Sequence, residues 1–305
     1  MALPDFTTQD PATYKAAIDA TAAAHDAAID DINSNLTIVG GRLDVCEYTR
    51  TVHTYTDSPD AQAMVFGDSG TKIFLLDYTD NTVKQYTLST PYDLTTMTYS
   101  SKVLTFTAQM TGGIALNFNP DGTILYIADY LTDVIFQYTL ATAWDISTAT
   151  YASKSISANS VENILFTFLL SSDGAYLYVM GEQNDTIYRS TLSVPWDIST
   201  GGAFSVNSAL GLEINKCRSM VMAPNGWRVF MLNTDTKFIK SFHTVQNGEP
   251  QTTISFLDAE YNYDLFTSAD GFVPIDLMFN DTGTRMYVLD ANDKILEFKT
   301  GIFMP

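Results

Sequence analysis

Positive charge is scarce in this chain. Sixteen lysines and arginines stand against 35 aspartates and glutamates, a formal charge of −19 over 305 residues. Binding a phosphate backbone needs clustered basic side chains, so nucleic acid is excluded as a default partner and anionic lipid is disfavoured. Cysteine is nearly absent: Cys46 and Cys217 are the two. They fall at radially distant places in the repeat described below, so a disulfide is not expected and packing must hold the fold. No apolar run approaches the ~18 residues of a spanning helix, so no membrane insertion is expected. The opening Met1-Ala-Leu-Pro-Asp5 has neither a basic stretch nor an apolar core, so no cleaved export signal is expected. Histidine is rare and isolated: His25, His53 and His243 form no cluster of metal spacing, and the last two read as surface or structural residues. There is no nucleophile elbow, P-loop or dinucleotide fingerprint. With no nucleophile–base pair in view, the chain is expected to be non-enzymatic.

What is present is a repeat. Its clearest copy runs from Ile114 to Ile156: a strand-length apolar run, the turn Asn119-Pro-Asp-Gly122, and a second run Thr123–Ala128. A third run follows at Val134–Leu140, then Ala143-Trp-Asp-Ile-Ser147 and a last alternating stretch. The turn glycines Gly70, Gly122, Gly174, Gly226 and Gly283 are separated by 52, 52, 52 and 57 residues. Before them, Met64/Phe66, Leu116/Phe118, Phe168/Leu170, Met220/Met222 and Leu277/Phe279 keep period-two spacing, which makes one face of a first strand apolar. After them come Phe74, Tyr126, Tyr178, Phe230 and Tyr287, each flanked by aliphatic residues or methionine, so the second strand is apolar on both faces and must be covered on both. Val83, Ile135, Ile187, Ile239 and Ile295 recur in the third strand. Four-stranded sheets apolar on both faces stack around an axis, and a period near 40–50 residues is that of a propeller blade.

The fifth unit, from Ile275 onward, holds only three strands. The stretch Val45–His53 resembles the outer strands at Tyr99–Val103 and Tyr151–Ser155 and precedes the first unit as each outer strand precedes the next. The fold expected is therefore all-β: a five-bladed propeller over 42–305, with residues 43–55 completing the last blade. Residues 1–41 lie outside the repeat. Asp10-Pro11 is a helix start and Gly40-Gly41 a stop, so a helical attachment or oligomerisation arm is expected there. Its heptad seam is weak, because only Tyr14, Ile18 and Ile32 in it are large and apolar. A helix of ~22 residues is marginal alone in water, so the arm needs a partner: its own copies, a larger assembly, or the propeller.

Three sets of side chains carry what chemistry the sequence offers. Carboxylates recur in the turns between second and third strands, at Asp77/Asp80, Asp129/Asp133, Glu182/Asp185, Asp235 and Asp290/Asp293. Asp favours such turns anyway; the functional alternative is an acidic rim or a Ca²⁺ site, and no metal residue is assigned. Trp144 and Trp196, before Asp145 and Asp197, are candidate glycan contacts, although their register with core positions favours packing under the loop. Arg218 and Asp276 open neighbouring inner strands and read as an ion pair. No cofactor is expected.

The opening Leu3-Pro-Asp-Phe-Thr-Thr with Tyr14-Lys-Ala-Ala-Ile-Asp-Ala20 resembles the amino-terminal segments of tail and fibre proteins of tailed bacteriophages. The repeat Tyr138-Thr-Leu-Ala-Thr-Ala-Trp-Asp-Ile-Ser-Thr-Ala-Thr150, echoed at Ser193–Thr200, is similar to propeller repeats in virion proteins of marine phages; the fourth unit lacks its Trp-Asp pair. The resemblance implies a virion protein made in the host cytoplasm, a tail or tail-fibre component used in host attachment. It implies docking to other virion proteins through the arm, a host-surface glycan or protein receptor, and assembly as a homo-oligomer. A head-fibre or decoration protein and a polysaccharide-degrading propeller enzyme are the alternatives.

Overall fold

The computed structural model describes residues 42–182, 186–209, 217–222, 228–235, 238–243, 259–264 and 273–301. They form five four-stranded antiparallel sheets. The first is β2 (Ala61–Gly67), β3 (Lys72–Asp77), β4 (Thr82–Leu88) and β5 (Met97–Thr105). The second is β6 (Gly113–Phe118), β7 (Ile124–Asp129), β8 (Val134–Leu140) and β9 (Ala149–Ser157). The third is β10 (Leu165–Leu170), β11 (Tyr176–Gly181), β12 (Thr186–Thr191) and β13 (Ser205–Ala209). The fourth is β14 (Cys217–Met222), β15 (Arg228–Asn233), β16 (Phe238–His243) and β17 (Ala259–Asp264). The last holds β18 (Pro274–Phe279), β19 (Arg285–Asp290), β20 (Lys294–Gly301) and, as its outer strand, β1 (Arg42–Thr54). The ring is thus a five-bladed propeller closed by its two ends. β1 runs antiparallel to β20, from Arg42 opposite Gly301 to Thr54 opposite Lys294.

The second strand of each blade explains the closure. Its side chains alternate between two neighbours. Leu125 and Ile127 enter one core with Phe74 and Leu76, while Tyr126 and Ala128 enter the next with Leu177 and Val179. Tyr178 and Met180 meet Val229 and Met231, and Phe230 and Leu232 meet Met286 and Val288. Tyr287 and Leu289 return to Ile73 and Leu75. Every blade is therefore wedged between two apolar contacts, each fully buried aliphatic or aromatic side chain contributing roughly 1.5–3 kcal/mol. An open stack would leave two of these faces bare.

Polar contacts repeat at the same seams. Lys102 Nζ reaches Asp145 and Lys154 Nζ reaches Asp197, both at 2.6 Å. The side-chain carbonyls of Gln85 and Gln137 accept from the backbone N–H groups of Ile146 and Ile198, at 3.0 and 3.1 Å. Among the described residues the helical structure is limited to the 3-10 turns Leu94–Thr96, Ile146–Thr148 and Ile198–Thr200. The expected arm, with Tyr14, Ile18 and Ile32, lies outside the described residues. Cys217 is buried, and its thiol donates to the Ser219 carbonyl at 3.3 Å.

Candidate functional site at the channel mouth

The five inner strands, β2, β6, β10, β14 and β18, surround the axis. Each carries a register shift in its first residues, between Ala61/Ala63, Gly113/Ala115, Leu165/Thr167, Cys217/Ser219 and Pro274/Asp276. A bulge bends its strand and re-aims a side chain. Here four of the five bulged residues, Gln62, Ile114, Phe166 and Arg218, line a hollow of about 460 Å³ at one mouth of the channel. Asp60, Tyr78 and Tyr130 complete its wall.

The turns after β3 and β7 position the two tyrosines. Asp77 accepts the N–H of Asp80 at 2.8 Å, and Asp129 accepts the N–H of Leu131 at 3.2 Å and the hydroxyl of Thr132 at 2.8 Å. The residue after each aspartate, Tyr78 or Tyr130, is thereby turned to the rim. Their rings lie 5.8 Å apart and their hydroxyls 3.1 Å apart. That hydroxyl contact raises the Tyr78 pKa above the ordinary phenol value.

Arg218 donates to the Gln62 side-chain carbonyl and lies over the Phe166 ring, 4.8 Å from its centroid. Gln62 in turn donates to Asp60 at 2.5 Å, and Thr79 donates to the other Asp60 oxygen at 2.7 Å. Burial pulls the Arg218 pKa down to about 10, opposed by Asp276, Asp60, Tyr130 and Glu182. It stays cationic at neutral pH. Below it the channel holds a cavity of about 230 Å³, which Asn117, Thr167, Ser219 and Asp276 also line.

The expected Arg218–Asp276 ion pair is not formed. Asp276 accepts instead from the backbone of Met64 at 2.8 Å and of Leu277 at 2.9 Å, and Ser219 bonds to it as well. Burial pushes its carboxyl up to about 6 against those bonds and the more distant Arg218 charge. Thr167 and Ser219 occupy the same register and bond to the backbone N–H groups of Met220 and Leu277, at 3.0 and 3.4 Å. Asp276 is thus the ionisable version of an inter-strand latch, which is why it faces backbone rather than Arg218.

The turn carboxylates behave similarly. Asp290 closes its turn through the N–H groups of Val273 at 2.6 Å and Asn292 at 2.8 Å, and Asp133 holds the N–H of Leu165 at 2.8 Å. Among the described residues no three His, Cys, Asp or Glu side chains are grouped to hold a metal ion. Asp185 is outside them.

Trp144 and Trp196 lie on the opposite face, in the links between third and outer strands. Each has positive φ, 59° and 64°, and each half-buried ring covers a turn glycine of its own blade. A β-carbon on Gly122 would sit 2.2 Å from the Trp144 ring, and one on Gly174 would sit 2.4 Å from Trp196. Trp144 also packs against Phe118 at 5.1 Å. Tyr92 covers Gly70 in the same way. The aromatic pair singled out from the sequence and the cation at the channel mouth are therefore separate features. Gln62, Tyr78, Tyr130 and Phe166 were not singled out from the sequence. The available signal was the position eight residues before the turn glycine, which reads Gln, Ile, Phe, Arg, Ile around the ring.

No protein-family model and no curated protein matches the chain. Among solved structures it is similar to a protein of Bacteroides uniformis described as a "putative 6-phosphogluconolactonase", with 17% identity and a TM-score of 0.45, over 67% of this chain and 54% of that one. A Bacteroides fragilis protein of the same description shares 17% identity with a TM-score of 0.44, over 70% and 55%. A protein from Lactobacillus plantarum shares 14% identity with a TM-score of 0.45, over 75% and 64%. The chain thus spans less than two thirds of each of these proteins. The likeness is one of fold, and no residue role is carried over. It does correct the expectation of a non-enzymatic chain: propellers named for an enzyme are among the structures it resembles, so that exclusion is withdrawn.

Proposed function

We infer that this chain is a virion-surface recognition protein of a tailed phage. Residues 1–41 join it to the particle, the propeller projects outward, and the channel mouth engages a ligand on the host surface. One observation carries the reading. β1 enters the ring with Arg42 opposite Gly301, on the face of the turn glycines, and ends with Thr54 opposite Lys294, on the face of Arg218 and the tyrosines. A body held through the segment before Arg42 would turn the channel mouth away from its anchor. The acidic composition suits a soluble outward surface. The test complements particles lacking this protein with an Ile18→Asp/Ile32→Asp chain and with a chain starting at Gly41. Both should fail to incorporate. Particles carrying either at normal copy number would show that the propeller makes the joint.

A second reading, turnover of a host-surface polysaccharide in the same channel, is favoured by the Asp276 carboxyl, held near 6 in a channel that also contains Arg218. It requires reducing ends to appear when the protein meets host polysaccharide, and to stop appearing with Asp276→Asn. Adsorption without any such release would leave recognition alone.

A further inference from the structure

We propose that the channel mouth binds an acidic sugar, a pyranose ring bearing one carboxylate, with Arg218 as its anchor; this deepens the recognition reading and rests on it. A guanidinium carries five N–H donors. Among the described residues, Arg218 spends them on one acceptor, the uncharged side-chain carbonyl of Gln62. No carboxylate of the described residues stands at ion-pair distance, although the side chain is half-buried against Phe166, Gln62 and the strand ends. A cation withdrawn from water in this way is favoured by a charged partner against it. Here Asp60 holds Gln62, Gln62 and Phe166 hold the guanidinium, and the remaining donors are left for a planar anion, the group a guanidinium fork binds with two parallel bonds.

The surroundings decide which anion. Asp276, Asp60 and Glu182 all act on Arg218 through space, so the surroundings of this cation already hold more negative than positive charge. A singly charged carboxylate is tolerated there; a phosphate, carrying nearly two charges at neutral pH, meets the same cation with more repulsion. The rest of the wall suits a polyhydroxylated ring. Tyr78 and Tyr130 present half-buried aromatic faces beside paired hydroxyls, and the Asp60 carboxylate is an acceptor for sugar O–H groups. A hollow of about 460 Å³ falls in the range of small-molecule sites.

The experiment is calorimetric titration of the full-length chain with D-glucuronate, D-glucose and D-glucose 6-phosphate, which differ only at C6, and with acetate. Glucuronate should bind, with glucose and acetate at least tenfold weaker and the phosphate ester weaker than the uronate. Arg218→Gln should weaken glucuronate at least tenfold. Tyr78→Ala, on an outer turn that leaves the strands intact, should weaken it several-fold and serves if Arg218→Gln does not fold. Equal affinity for glucose and glucuronate, tighter binding of the phosphate ester, acetate as tight as glucuronate, or no binding of any probe overturns the proposal. So does undiminished binding in folded variants. These measurements need no particle. A chain that binds glucuronate but is absent from virions would defeat the reading of its location alone; one present on virions that ignores glucuronate would defeat the site alone.

Discussion

Replacing Asp276 by asparagine should flatten the pH dependence of stability. Burial places this carboxyl near 6, against 3.8 for an unperturbed aspartate. A folded-state pKa above the unfolded one means that the folded protein binds the proton more tightly. Stability is then highest below about 3.8 and falls as pH rises towards about 6, with the loss complete above that. A gap of about two units corresponds to roughly 3 kcal/mol, of which about 2–3 kcal/mol is lost between pH 4 and pH 7. Arg218, with its pKa near 10, keeps its charge throughout and adds no slope.

Asparagine removes that titration but also an acceptor. Asp276 satisfies the Met64 and Leu277 N–H groups with different oxygens, and asparagine would turn an NH₂ towards one of them. That costs about 1–3 kcal/mol at every pH. The two proteins should therefore be close in stability near pH 7, with the variant the weaker near pH 4. Urea unfolding at four pH values across this range measures the difference. Asp133, Asp293 and Glu297 also have pKa values raised by burial, but they are common to both proteins and cancel in the comparison. Parallel stability curves for the two proteins would refute the reasoning, because they would mean that the aspartate titrates alike folded and unfolded.

Two further outcomes follow from the ring. Trp144→Ala opens space over Gly122 and beside Phe118, and should cost about 3 kcal/mol, the low end for a tryptophan because the ring is half-buried; thermal melts check this, and a fully stable variant with reduced cell adsorption would make the ring a ligand platform instead. A chain starting at residue 57 lacks β1 and should aggregate through the bared edge of β20, whereas one starting at Gly41 should stay soluble and melt as the whole chain does; a soluble 57–305 fragment with unchanged melting temperature would contradict closure by the two ends.

The repeat made the fold legible because five copies had to satisfy one constraint. A second strand shared between two cores must be apolar on both faces, and Phe74, Tyr126, Tyr178, Phe230 and Tyr287 state that constraint at one register. The spare outer strand was legible for the same reason, since four-stranded blades leave an unpaired edge that only the other end of the chain can cover. The bulges were not legible. A bulge changes where a backbone turns without changing the alternation read from side-chain type, so Gln62, Ile114, Phe166 and Arg218 looked like ordinary inner-strand residues. The supposed partnership of Arg218 with Asp276 failed on the same point. The two are one residue out of equivalence in their repeats: Arg218 is at the bulge itself, aimed at the mouth, while Asp276 is at the next position, with Thr167 and Ser219, aimed at backbone. Identical positions in a propeller hold it together, and the chemistry collects at positions where the copies disagree. At the bulge the five copies disagree, and the disagreement puts one cation among amide, aliphatic and aromatic neighbours. A search for further sites in this ring should therefore compare blades position by position and look where a polar side chain interrupts an apolar series.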